Sequence, residues 1–185
     1  MLHDGWYSKA RHLPSPFYNE RPVDAAIRLL VIHNISLPKG QYGLPYIEHL
    51  FTGCLDCSAH PSFMDLDGVE VSSHFLIDRQ GAISQFVSTE HRAWHAGVSC
   101  FDGVENCNDY SIGIELEGCD EQGYTQAQYQ ALIHLSDDLL AHYAIGLDNI
   151  VGHSDIAPGR KTDPGPYFDW RYYKAALQTE NFFNV

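Results

Sequence analysis

Arg28-Leu29-Leu30-Val31-Ile32-His33-Asn34 is the stretch that decides the fold class. Four consecutive apolar residues bounded by polar ones predict a central strand buried on both faces. Such a strand needs a layer of structure on each side, so an α/β architecture is expected. His33 stands at the C-terminal mouth of the strand, where open α/β sheets commonly place their sites. Taken alone it reads as a strand-end histidine bonded to a nearby carbonyl, because histidine is often part-buried without a role.

Outward from this strand, residues 109–118 give the clearest alternation. Ile112, Ile114 and Leu116 alternate with Ser111, Gly113, Glu115 and Glu117, which predicts one face in the core and one outside it. Glu115 has small neighbours on the outer face, as if room were left beside it. Ser73–Asp78 and Ala82–Val87 flank Arg79-Gln80-Gly81 and predict a β-hairpin. His74 either points into a cleft or sits on a strand face. Thr125 to Ala144 predicts the main helix, with a capping-box pair at Thr125 and Gln128 and Gly146 just past the end. Its apolar stripe is Tyr129, Leu132, Ile133, Leu139, Leu140 and Tyr143, which leaves His134 and His142 as surface residues. A short helix is expected within Gly40–Gly53, around Pro45–Phe51 with Pro45 near its first turn, and a last one over Asp169–Leu177. Residues 1–27, interrupted by Pro14, Pro16 and Pro22, read as irregular. With no repeat, linker or low-complexity run, the expectation is a single domain over 1–185: a central mixed β-sheet flanked by helices.

Bulk properties agree with an ordinary globular domain: 185 residues, 44% hydrophobic and 19% charged. The 24 acidic against 11 basic residues give a net charge of -13, which argues against a general nucleic-acid binder. Met1-Leu2-His3-Asp4-Gly5-Trp6 lacks the basic-then-apolar pattern of a signal peptide, and no segment has the apolar length of a membrane span. Five cysteines, an odd number, fit reduced thiols better than a disulfide framework. A cytoplasmic monomer, without membrane or nucleic-acid partners, is the expectation.

Chemistry concentrates in Gly152-His153-Ser154-Asp155-Ile156-Ala157-Pro158-Gly159-Arg160-Lys161-Thr162-Asp163-Pro164-Gly165. Glycine and proline hold this loop out of helix and strand, and it places an imidazole, an ammonium and a carboxylate close together. His153 and Asp163 could converge on one ion, with a third ligand from elsewhere. Trp94-His95, within Arg92–Gly97, reads either as a packed loop or as a wall of a ligand pocket. Cys54-Leu55-Asp56-Cys57 suggests zinc or redox chemistry, but only His60 lies near it, so a pair of loop thiols is the default.

Taken in order, Val31–Ser36, Arg92–Ser99, Cys107–Asp109, Ser111–Gly118 and Gly152–Gly165 resemble the zinc-dependent N-acetylmuramoyl-L-alanine amidases related to peptidoglycan recognition proteins. More narrowly they resemble the cytoplasmic branch that cleaves 1,6-anhydro-N-acetylmuramyl peptides in wall recycling. The resemblance implies one Zn2+ per chain on His33, His153 and Asp163, with an open fourth position. It also implies Glu115 as general base and Lys161 as the cation that stabilises the oxyanion. Asn34, Trp94 and His95 become lining residues for a small muropeptide substrate. Asn106 stands where that branch can carry a basic residue, so recognition of a peptide carboxylate is expected to differ here. No His-Glu-x-x-His helix signature of a zinc peptidase is present. A binding module that holds muropeptide without cleaving it, or an amidase acting on intact wall, are the other readings.

Overall fold

A computed structural model of the chain describes residues 1–183. In chain order come β1 (Leu2–His3), β2 (Trp6–Tyr7), β3 (Arg11–His12), β4 (Tyr18–Glu20), β5 (Leu29–Ile35) and α1 (Tyr46–Phe51). Next are β6 (Phe75–Ile77), β7 (Ile83–Gln85), β8 (His91–Ala93), β9 (Cys100–Phe101), β10 (Val104–Glu105) and β11 (Ser111–Glu117). The chain closes with α2 (Gln126–Tyr143), β12 (Ile150–Gly152), α3 (His153–Ile156) and α4 (Trp170–Phe183).

The main sheet runs β12-β5-β11-β6-β7-β3. β5 is an interior strand next to the edge strand β12 and parallel to both β12 and β11, β11 is parallel to β6, and β6 with β7 forms the antiparallel hairpin. The mixed α/β sheet expected from the sequence is therefore present. Leu30 and Ile32 on β5 point with Ile112, Ile114 and Leu116 on β11 into the main core, which α2 and α4 cover. Leu29 and Val31 point the other way, into a smaller cluster with Ala96, Tyr110 and Ile156. A third cluster joins α1 to Leu76, Phe86 and Ala93 on that same side. Apolar alternation on β5 thus ends at His33, and the parallel register sets His33 beside Glu115. That pair sits two residues short of the C-terminal ends of both strands, on the side of the two smaller clusters.

α2 begins as its sequence predicts. Thr125 accepts from the Gln128 backbone N–H, and the Gln128 side chain accepts from Thr125 N–H. The residue in left-handed conformation at its end is Ala144, at φ 52°, rather than the glycine two positions on. Five members of the expected stripe are buried, and Tyr143, half-buried, bonds Thr89 through its hydroxyl. His134 and His142 are exposed.

Several expectations are corrected. The first 27 residues are not irregular throughout: β3 adds an edge strand parallel to β7, and β4 pairs antiparallel with β8. All seven residues of β11 are buried, because α2 covers one face and the layer of the site covers the other. The Gly152–Gly165 stretch contains the helical turn α3, whose first residue is His153. α4 extends past Leu177 to Phe183. Arg92 and Ala93 lie in a strand rather than a loop.

Arg21, within that N-terminal segment, has its guanidinium against four backbone carbonyls: Thr89, Asn108, Asp109 and Ser111. Burial lowers its pKa to about 10, which still leaves it charged at neutral pH. Arg21→Met removes a charged donor set and strands those carbonyls, at an expected cost of about 3 kcal/mol. For a domain of this size that is a fall of roughly 6–12 °C in melting temperature, measurable by calorimetry.

Candidate active site

The parallel register that pairs Gly152 with Ile32 delivers His153, the next residue, beside His33. Asp163 returns to the same place at the end of the loop, where its carbonyl accepts from Ser154 N–H at 3.0 Å. His33 Nδ1 and His153 Nδ1 are 3.0 Å apart, and each is 3.1 Å from Asp163 Oδ2. Among the described residues this is the cluster of three or more His, Cys, Asp or Glu side chains with converging ligand atoms.

The protonation pattern tests whether that cluster fits a cation. His153 Nε2 lies 3.1 Å from the Ala96 carbonyl, which accepts, and 3.4 Å from the Arg160 guanidinium, which donates, while its Nδ1 faces the Asp163 carboxylate. With a cation at the centre, Nδ1 would give it a lone pair and the ring proton would stand on Nε2, toward the Ala96 carbonyl. Burial pushes the His33 imidazole down to about 4 and keeps it neutral. Asp163 is held well below the usual carboxylate range: burial would raise it, but hydrogen bonds with His153 and His33 outweigh burial. Two neutral imidazoles and one carboxylate are the forms in which these groups ligate zinc. Three electron-rich atoms this close fit a shared cation.

Glu115 borders the triangle in a cleft of about 220 Å³ shared with Asn34, Trp94, His95 and Lys161. Its Oε2 is buried and takes no hydrogen bond. Burial raises its pKa well above the ordinary value; the Asp163 charge adds to the rise and Lys161 opposes it. A buried carboxyl with a raised pKa and an unused oxygen is a candidate proton carrier. The backbone N–H of Lys161 donates to Ala157 O at 3.0 Å, fixing the base of its exposed side chain.

The proposed lining residues differ in what they can offer. Trp94 spends its indole N–H on Asn19 at 2.7 Å and stacks on Phe17, which leaves a ring face for a ligand. Asn34 donates to Asp120 Oδ1, and Thr162 donates to the other oxygen of Asp120. Asp120, unremarked in the sequence, thus ties the end of β5 to the loop carrying Asp163. His95 lines the cleft, but both ring nitrogens are engaged inside the protein, with His33 and with Ser111. His74 is fully buried: its Nδ1 accepts from Gly113 N–H and its Nε2 donates to His91 O. Cys54 and Cys57 are free thiols outside the triangle.

Residues 23–166 match the N-acetylmuramoyl-L-alanine amidase family. The chain belongs to that family. The 1,6-anhydro-N-acetylmuramyl-L-alanine amidase AmpD of Enterobacter cloacae is 52% identical over 181 residues, 98% of this chain and 97% of the relative. A crystal structure of AmpD, as its selenomethionine derivative, matches with a TM-score of 0.93 at 52% identity, covering 96% of this chain and 99% of that one. Escherichia coli AmiD, solved with anhydro-N-acetylmuramic acid-L-Ala-D-gamma-Glu-L-Lys, matches at 0.61 and 31% identity over 91% of this chain and 72% of its own. The α/β sheet and its flanking helices are thus the fold of this amidase family.

Proposed function

We propose that this chain hydrolyses the amide between the lactyl group of (1,6-anhydro-)N-acetylmuramic acid and L-alanine of the stem peptide, in peptidoglycan recycling. The observation that carries the reading is the triangle of His33, His153 and Asp163 beside the unpartnered Oε2 of Glu115. The likeness to AmpD and AmiD supplies the substrate class: a muropeptide with an anhydromuramyl end and a short stem.

His33, His153 and Asp163 would hold one Zn2+ per chain. When bound, the ion supplies Lewis acidity, which acidifies water and polarises a carbonyl oxygen. The remaining work falls to the chain. Glu115 takes a proton from the attacking water on its free oxygen and returns it to the departing alanine nitrogen. The Lys161 ammonium meets the developing oxyanion. Trp94 offers its ring face to the sugar or peptide, and Asn34, held by Asp120, gives a polar edge to the cleft. His95 contributes ring carbon to the wall.

The proposal includes a single domain over 1–185 acting as a monomer in the cytoplasm. No helix among the described residues is long and apolar enough to cross a membrane. The bond is identified by running the reaction with anhydromuramyl-tripeptide in oxygen-18 water, followed by mass spectrometry. Label in the lactyl carboxylate, with unlabelled free tripeptide, supports the assignment; an intact substrate, or label within the peptide, defeats it. Lys161→Met is expected to lower kcat on the order of 10²–10³-fold with little change in KM. Steady-state kinetics on the zinc-loaded variant checks this.

A further inference from the structure

Each imidazole of the triangle turns Nδ1 inward and Nε2 outward, and the two outer partners are consecutive residues. His33 Nε2 lies 2.9 Å from His95 Nδ1, and His153 Nε2 lies 3.1 Å from the Ala96 carbonyl. The segment that carries both partners is itself fastened by one side chain: Asn108 Oδ1 accepts from His95 N–H at 3.1 Å and from Ala96 N–H at 2.8 Å. Asn108 is buried, its own carbonyl is held by Arg21, and Ala96 is fully buried. The Arg160 guanidinium shares the Ala96 carbonyl at 2.6 Å and reaches Val98 O as well.

We propose that His95 and Ala96, clamped by Asn108, form the outer shell that fixes both metal-ligating imidazoles with Nδ1 toward the ion. For His153 the Ala96 carbonyl is the acceptor for the Nε2 proton once Nδ1 is given to an ion, with the Arg160 guanidinium 3.4 Å from the same nitrogen. For His33 the outcome depends on His95, because an imidazole can either donate or accept. The chain of contacts continues to Ser111, whose Oγ is 3.2 Å from His95 Nε2. With the His95 proton on Nε2 toward that hydroxyl, Nδ1 accepts from His33 Nε2–H, and His33 Nδ1 is left bare. The opposite order would put a proton on His33 Nδ1, where an ion must sit. His95 is therefore a positioning residue, acting through His33.

Gly113 makes room for this arrangement. A Cβ at that position would meet the His95 ring at 2.5–2.8 Å, closer than side chains approach one another. The glycine two residues before Glu115 thus leaves room for the outer imidazole. The same Gly113 N–H donates to His74 Nδ1, so the backbone under His95 is held from below as well.

This inference rests on the zinc reading, and its test separates the two. Zinc dissociation constants are measured by competition with a chromophoric chelator for the wild type, His95→Phe and His95→Asn, with folding of the metal-free proteins checked by circular dichroism. An asparagine amide oxygen stands close to where Nδ1 does, so His95→Asn keeps an acceptor for His33. His95→Phe is expected to weaken zinc on the order of 10- to 100-fold, and His95→Asn to recover most of that loss. A folded His95→Phe that binds zinc as tightly as the wild type overturns the inference while leaving the metal centre intact. A wild type that binds no zinc overturns both. Nitrogen-15 spectra of the zinc-loaded wild type give a reading that needs no variant. The expected state has His95 protonated on Nε2 and His33 protonated on Nε2; His95 protonated on Nδ1 contradicts the proposal.

Discussion

Glu115→Gln is expected to reduce hydrolysis on the order of 10²–10⁴-fold and, in the same protein without metal, to raise the melting temperature at neutral pH. Both effects come from one property. The carboxyl is buried with an unbonded oxygen, and burial with the nearby Asp163 charge lifts its pKa well above the ordinary value. A group whose folded pKa is raised holds its proton in the folded state at pH values where the unfolded chain has lost it. Folding is therefore undisturbed below the ordinary carboxylate pKa, and a penalty grows as pH rises through that value. Glutamine is neutral at every pH and nearly the same shape, so it escapes the penalty while losing the base. Melting curves of the metal-free wild type and variant should coincide near pH 4 and separate near pH 7, with the variant higher. A variant equal or lower in stability at pH 7 would mean that Glu115 is solvated, and its assignment as proton carrier would go with that.

Asp163→Asn is expected to do the reverse to stability and as much or more to catalysis. It removes the single negative ligand of the triangle, and with it the several kcal/mol of transition-state charge stabilisation that a held zinc supplies. A loss in kcat/KM on the order of 10³-fold or more is expected at stoichiometric zinc. In the metal-free protein Asp163 is held below the usual carboxylate range by its bonds with the two histidines. A depressed folded pKa contributes stability that is present above the unfolded pKa and lost as pH falls toward the folded one. Asparagine forfeits that contribution at neutral pH, so metal-free Asp163→Asn should melt below the wild type at pH 7, with the gap closing in strong acid. Two carboxyls in one cleft thus move stability in opposite directions, and the pair of variants is the control for either alone. An Asp163→Asn protein with wild-type turnover at one zinc per chain would remove Asp163 from the ligand set.

Sequence pattern is a good guide wherever the determinants are local. β5 is visible as an apolar run, α2 as a capped stripe, and the β6–β7 hairpin by its turn, because each uses contacts near in the chain. The convergence of His33, His153 and Asp163 was legible through residue types that suit zinc, together with the resemblance that ordered them. What stayed hidden depends on distant partners. β3 is a strand only because β7 offers an edge more than seventy residues away. Both faces of β11 are buried because the second face meets the layer of the site, which alternation alone reads as outside. Arg21 and Asp120 carry no local signature: one meets backbone carbonyls of a far segment, the other ties Asn34 to Thr162. His95 looked like pocket wall, and it is also bonded to His33 through a 2.9 Å contact across 62 residues.

Titration of zinc into chelator-stripped protein, with release of peptide from anhydromuramyl-tripeptide followed at each addition, tests the central claim most directly. The expected result is no turnover in the stripped protein, activity rising in proportion to zinc, and a sharp break at one ion per chain. Full activity in the stripped protein, or a rise that ignores stoichiometry, would contradict a catalytic centre built on His33, His153 and Asp163.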